Sequence, residues 1–159
     1  MFKGFEPVFD EFSEVLILGS FPSVKSRKEN FYYGNPQNRF WKTLFSFFGE
    51  EPKDGIPEKT AFLHKYHVAL YDVFSSSDIS GSMDSDLKKS DSGYSDMTEI
   101  FETAKNLKLI VCNGKLAYET FVKEYPDKAG ITVYLPSTSP ANPRFRENIW
   151  HETLLKTLG

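Results

Sequence analysis

Four short apolar runs, at residues 15–18, 68–73, 109–112 and 131–135, limit the folds open to this chain more than any other feature. They are largely β-branched and show little apolar–polar alternation, the pattern of strands buried on both faces. Helical patterns separate them. Residues 38–48 place Phe40, Trp41, Leu44, Phe45, Phe47 and Phe48 on a broad apolar face that stops at Gly49. Residues 57–66 begin with a proline, which suits a first helical turn. Residues 98–106 and 115–124 are amphipathic, the second halted before Pro126. The spacing predicts a last helix over 144–158, with Asn142 as its N-cap and Pro143 in its first turn. Strand alternating with helix reads as an α/β fold with a parallel sheet, in one domain spanning residues 1–159.

In open parallel sheets, ligands bind beyond the carboxyl ends of the strands. The segments leaving those ends are residues 19–37, 74–95, 113–114 and 136–142, and they carry nearly all the unusual residues. In the first, Gly19 permits a turn and the close approach of a ligand, and Pro22 ends the ladder. Phe31, Tyr32 and Tyr33 then precede Gly34-Asn35-Pro36, and Gln37-Asn38-Arg39-Phe40-Trp41 opens a helix. Glycine turns, amides and rings in one loop fit a pocket for a flat, hydrogen-bonding ligand. The other reading is an ordered loop whose rings pack on the core. Residues 75–95, rich in Ser, Asp and Gly, read as a loop of about twenty residues, long enough to ask for a function.

Leu135-Pro136-Ser137-Thr138-Ser139-Pro140-Ala141-Asn142 leaves the last strand and enters the last helix. Hydroxyls and backbone amides at a helix start are good phosphate ligands, and two prolines around three hydroxyls favour a site over a plain rigid turn. Asn113-Gly114 reads first as a turn. Asp72 ends the second run, where it either accepts a hydrogen bond from a base edge or ties down the following loop.

Other chemistries lack their parts. His64 and His67 stand three apart with no third ligand nearby, which argues against a metal. The single cysteine, Cys112, excludes an internal disulfide and a four-cysteine cluster, and suits a cytoplasmic protein. There is no Walker-type or dinucleotide glycine pattern, and Ser20, Ser23 and Ser26 have no obvious histidine partner. No run approaches membrane-spanning length and the start of the chain lacks a signal-peptide core, so neither cofactor nor membrane is expected. A net charge of −3 argues against non-specific coating of nucleic acid. Lys25, Arg27, Lys28, Arg39, Lys42, Arg144 and Arg146 nevertheless fall near the proposed site in sequence, either as solvated surface or as phosphate contacts.

These pieces, in this order, resemble the uracil-DNA glycosylase superfamily, and within it the hypoxanthine (deoxyinosine) DNA glycosylase branch, related to mismatch-specific uracil/thymine glycosylases. The resemblance rests on Gly19-Ser20-Phe21-Pro22-Ser23, the specific run from Phe31 through Asn38 to Trp41, Gly81-Ser82-Met83-Asp84-Ser85, Asn113-Gly114-Lys115-Leu116-Ala117, and Leu135 to Asn142. It implies a three-layer α/β/α fold around a four-stranded, mainly parallel sheet, no metal, and excision of a base from DNA. The superfamily usually carries Asp or Asn where Phe21 stands here, to orient the attacking water, and often His or Asn where Leu135 stands. The hypoxanthine branch is similar in lacking that acid, and its catalytic amide corresponds to Asn38.

The expected activity is that of a monofunctional glycosylase. It flips out a deaminated base, hypoxanthine or uracil, and hydrolyses the N-glycosidic bond to leave an abasic site in base excision repair. Asn38 is the expected catalytic residue. Gly19, Ser20, Phe21, Pro22, Tyr32, Tyr33, Asp72, Asn113 and Ser137 would meet the base, and Ser23, Lys25, Arg39, Ser139 and Arg144 the DNA backbone. Phe145 competes with Arg144 as the side chain that fills the gap left in the stack. The expected partner is double- or single-stranded DNA, acted on by a monomer. A non-catalytic module that grips extruded bases or a nucleotide, or a nucleoside N-glycosidase, would use the same pocket.

Overall fold

In a computed structural model of the protein, residues 2–77 and 93–158 are described. The string Gly81-Ser82-Met83-Asp84-Ser85 lies outside them. The centre of the fold is strand β2 (Val15–Gly19), every residue of which is buried. It pairs in parallel with β3 (Val68–Asp72) on one side and β6 (Leu109–Asn113) on the other, and β6 pairs in parallel with β7 (Thr132–Leu135). The order β3-β2-β6-β7 makes a four-stranded parallel sheet. Side chains of β2 alternate between two cores. Val15 and Ile17 face one and Leu16 and Leu18 the other, all fully buried. A strand apolar at every position is what two covered faces require.

The first core is closed by α2 (Phe40–Phe47), α3 (Ile56–Lys65) and α6 (Glu147–Leu158), through Phe40, Trp41, Leu44, Phe45, Phe62, Leu63, Trp150 and Leu154. The second is closed by α4 (Thr98–Thr103) and α5 (Lys115–Glu124), through Ile100, Leu116, Ala117 and Phe121. Helices on both faces give the three-layer α/β/α arrangement. Full burial of one such Leu, Ile or Phe side chain stabilises by about 1.5–3 kcal/mol. The paired apolar faces therefore fix the register.

A second sheet lies beside the first. Strands β1 (Phe2–Lys3), β4 (Phe74–Ser77) and β5 (Gly93–Tyr94) pair antiparallel in the order β1-β4-β5. The expected loop at residues 75–95 is thus a strand at each described end.

Two further expectations change. A short helix, α1 (Val24–Glu29), interrupts the first long loop; Ser23 caps it by accepting from the Ser26 amide, and Asn30 ends it in a left-handed conformation. The last helix starts at Glu147 and not at residue 144. Asn142 does not cap it. The Asn142 side chain accepts from the Arg144 amide at 3.1 Å and donates to the Ser137 carbonyl at 2.9 Å, holding a turn before the helix.

Candidate active site

Parallel pairing brings the carboxyl ends of the strands level. Gly19 stands beside Asp72 and Asn113 beside Leu135 in the sheet register. Above this edge lies a cavity of about 230 Å³. It is lined by Gly19, Ser20, Phe21, Pro22 and Ser23 from the first loop, Tyr32, Tyr33, Asn35 and Asn38 further along it, Asp72 at the end of β3, Asn113 through Ala117, and Ser137 through Pro140. Four chain segments far apart in sequence meet there.

The floor is tight at Gly19. A Cβ on that residue would come within 2.6 Å of the Asp72 Oδ1 and 2.7 Å of the Tyr33 hydroxyl, so only glycine fits. Asp72 is 5% exposed. Its backbone carbonyl, and not its side chain, ties the following segment by accepting from Ser95 Oγ at 2.5 Å. Among the described residues nothing is hydrogen-bonded to its carboxylate, and burial pushes the carboxyl up to about 7.

The two tyrosines divide their work. Tyr32 is buried, and its hydroxyl donates to the backbone carbonyls of Phe5 and Glu6 while its own carbonyl accepts from the Trp41 indole. Tyr33 adopts φ 52°, a left-handed conformation that a bulky residue rarely holds. Its ring stacks on Phe40 with centroids 4.0 Å apart. The residue is half-buried, yet its hydroxyl oxygen is enclosed with no hydrogen-bond partner among the described residues. Phe21 is buried at the cavity wall beneath the Arg27 guanidinium, 5.0 Å from its ring centre.

Asn38 lines the cavity and is half-buried; its side-chain carbonyl accepts from the Phe40 amide at 2.9 Å, at the start of α2. A carbonyl oxygen has two lone pairs, so that bond fixes the amide and leaves an acceptor and an NH₂ over.

The remaining wall is a clamp. Asn113 donates to Thr138 Oγ1 at 2.9 Å and accepts from the Thr138 amide at 3.0 Å, so both ends of its amide hold the 136–142 loop. Arg39 donates to the carbonyls of Thr138, Ser139 and Asn142 at 3.4, 2.5 and 2.8 Å, and its guanidinium lies 4.4 Å from the centre of the Phe145 ring. Trp150 donates to the Pro136 carbonyl at 2.8 Å. Ser137 and Ser139 line the cavity, each accepting from a backbone amide two residues on. Arg39 and Asn113, expected to meet DNA and base, thus hold the 136–142 loop in place, and Asn113 also lines the cavity. Lys25 falls in α1, Ser23 caps that helix, and Arg144 is exposed on the turn before α6. Phe145 is half-buried and packs against the first core.

Sequence reasoning passed over Lys115 and Thr138 as site residues. Lys115 lines the rim of the cavity, and Thr138 is buried as the hinge pin of the clamp. Lys115 had a signal, since it directly follows Asn113-Gly114, where Gly114 turns with φ 101°. The histidines are accounted for by acids, His64 beside Asp10 at 2.9 Å and His67 beside Glu14 at 3.0 Å. No group of side chains among the described residues is arranged to hold a metal, and none of their helices is long and apolar enough to cross a membrane.

Comparison with known proteins places this geometry. The sequence pattern of the Uracil DNA glycosylase superfamily matches residues 6–154. The chain is 39% identical over 149 residues to the hypoxanthine DNA glycosylase of Methanosarcina acetivorans, covering 92% of this chain and 91% of that one. It is 35% identical over 156 residues to the protein of the same name from Methanosarcina barkeri, covering 94% and 96%. A solution NMR structure of a candidate uracil DNA glycosylase from M. acetivorans superposes with a TM-score of 0.82 at 36% identity, over 98% of this chain and 97% of that one.

Proposed function

This chain belongs to the uracil DNA glycosylase superfamily, and on that premise we propose that it is a monofunctional DNA glycosylase. It draws a deaminated base, hypoxanthine foremost, out of DNA into the cavity above Gly19 and hydrolyses the N-glycosidic bond to leave an abasic site. The observation that carries this reading is that Asn38, the aromatic walls and the serine loop line one cavity at the carboxyl edge of the sheet. The names of the two relatives support the choice of base.

Extruding a nucleotide costs a few kcal/mol of unstacking, and ring contact with Phe21 and Tyr33 recovers about 1–3 kcal/mol. The fixed Asn38 amide holds a water for attack at C1′; an amide is a weak base, so it positions more than it deprotonates. As the bond breaks, positive charge grows on the sugar and the electron pair stays with the base. The Ser137–Ser139 loop and Lys115 take the flanking phosphates. Action in the cytoplasm, as a monomer, on single or double strands belongs to the same proposal.

The experiment uses labelled duplexes carrying deoxyinosine, deoxyuridine or no damage, incubated with the protein and then treated with alkali. Strand breaks at deoxyinosine that appear only after alkali are expected. Absence of breaks in every duplex sinks the reading. A non-catalytic base-gripping module has one observation in its favour, the Asn38 side-chain carbonyl already bonded to the Phe40 amide; tight binding of the deoxyinosine duplex without product would identify it.

A further inference from the structure

The cavity floor carries a group that the mechanism above leaves idle. Asp72 ends β3 beside Gly19, is buried, and opens onto the cavity with nothing hydrogen-bonded to its carboxylate among the described residues. A carboxylate there opposes the reaction. The departing base takes the bonding electron pair, and a fixed negative charge in the same dry pocket repels it. The acid is therefore useful only while it keeps its proton. We propose, resting on the glycosylase reading, that Asp72 is a neutral acid that donates its proton to a ring nitrogen of the leaving purine as the N-glycosidic bond breaks.

The step balances. The C1′–N9 bond breaks with both electrons going to the base, the Asp72 proton moves onto the base, and the purine leaves neutral. Water adds its oxygen to C1′ and its surplus proton goes to solvent, from which Asp72 is recharged.

Surroundings favour the neutral form. Among the described residues, the titratable groups within electrostatic reach of Asp72 are Tyr32 and Tyr33 from the first loop and Tyr71 from its own strand, and burial pushes all three above the ordinary tyrosine value. Cys112 on β6, behind Tyr33, is pushed up to about 12. All four stay uncharged at neutral pH. Lys115 is the single cation among the described residues lining the cavity, and its ammonium is mostly solvated at the rim, 3.9 Å from Glu119. Among the described residues no cation holds the Asp72 carboxyl ionised, and burial lifts it to about 7. A docked base expels more water and lifts it further.

The test is the pH profile of single-turnover excision from a deoxyinosine duplex between about pH 5.5 and 9. Wild-type rate should fall roughly tenfold per unit once Asp72 ionises. Asp72→Asn keeps a permanent N–H donor without a proton to give. It should be slower at pH 6 by about ten- to a hundredfold, in line with loss of general-acid catalysis, and nearly flat with pH. A wild-type rate that rises with pH, or an Asp72→Asn profile parallel to wild type, overturns the proposal and leaves the glycosylase reading standing. Wild-type protein that releases no base at any pH overturns both. Should Asp72→Asn fail to fold, carboxyl ¹³C NMR of wild type decides. Its Asp72 midpoint should rise on binding a cleavage-resistant 2′-fluoro-deoxyinosine duplex, and a fall on binding overturns the proposal.

Discussion

Asn38 has one amide for two duties, accepting from the Phe40 amide at the start of α2 and facing the cavity. Their loss can be told apart. Asn38→Ala should lower single-turnover excision at least about a hundredfold, the scale of lost water positioning, while damaged-DNA binding stays nearly intact. That hydrogen bond is worth only about 1 kcal/mol, so a Tm loss that accounts for the activity loss would return Asn38 to a structural role. Asp72 makes the opposite kind of prediction. Its carboxyl is raised by burial to about 7 from an ordinary value near 4. A raised acid favours folding while protonated. The Asp72 contribution to stability is therefore fullest below about pH 4 and is lost as pH rises through about 7, by an amount on the order of 2–4 kcal/mol. Asp72→Asn should escape that decline. Urea unfolding should find it clearly more stable than wild type at pH 8 and closely matched at pH 4. Equal stability at both would mean that the carboxyl titrates as in water.

Among the elements, the 136–142 loop shows how a short hydroxyl-rich segment is made rigid from outside. Three carbonyls converge on the Arg39 guanidinium and both ends of the Asn113 amide meet Thr138. Hydrogen bonds to a charged group contribute about 1.5–3 kcal/mol. Arg39→Ala should cost about that much in urea unfolding and should raise KM as the loop loosens. Arg39→Lys should recover little, because one ammonium cannot span three acceptors set for a planar fork. Full recovery by lysine would reduce Arg39 to a charge. Elements of this kind also mark where the sequence was legible. The parallel strands were readable because a strand covered on both faces has to be apolar at nearly every position, as β2 is. The small antiparallel sheet was not, since Phe74–Ser77 is mostly serine and Gly93–Tyr94 is two residues long. Helix α1 has six residues, too few to show a period. Asn142-Pro143 imitates a helix start, but the amide that would cap is drawn back to Ser137. In the site, residue types were readable and duties were not. The partners of Asn113 and Arg39 lie some 25 and 100 residues away in the chain, so their hold on the 136–142 loop could not be read from spacing.

For the whole molecule, a net charge of −3 must still meet a polyanion. Attraction therefore has to be local; among the described residues Lys115 lines the cavity, and Arg144 and Arg146 are exposed on the turn before α6. With few phosphate contacts, the affinity should fall only gently with salt, and each cation removed should lower the slope of log K against log salt by about one. Arg144 should do more than neutralise. Its guanidinium can stack where the base has left as well as meet phosphate. Arg144→Ala should slow excision from duplex much more than from single strands, where there is no gap to fill. Equal losses on both would leave it a phosphate contact.

The level strand ends also mean that the sheet has an opposite edge, where Glu14 holds His67 at 3.0 Å and Lys108 at 2.6 Å across the starts of three neighbouring strands. Asn106 is exposed beside that edge, a full strand length away from the cavity. Cys112, the chain's single cysteine, is buried with its thiol pushed up to about 12, so it stays protonated and shielded from alkylating reagents at neutral pH. A reactive handle placed by Asn106→Cys should therefore take a maleimide alone, read as one added mass by intact-protein spectrometry. A protein anchored to glass through that handle would present its cavity outward, free to scan single DNA molecules stretched above it.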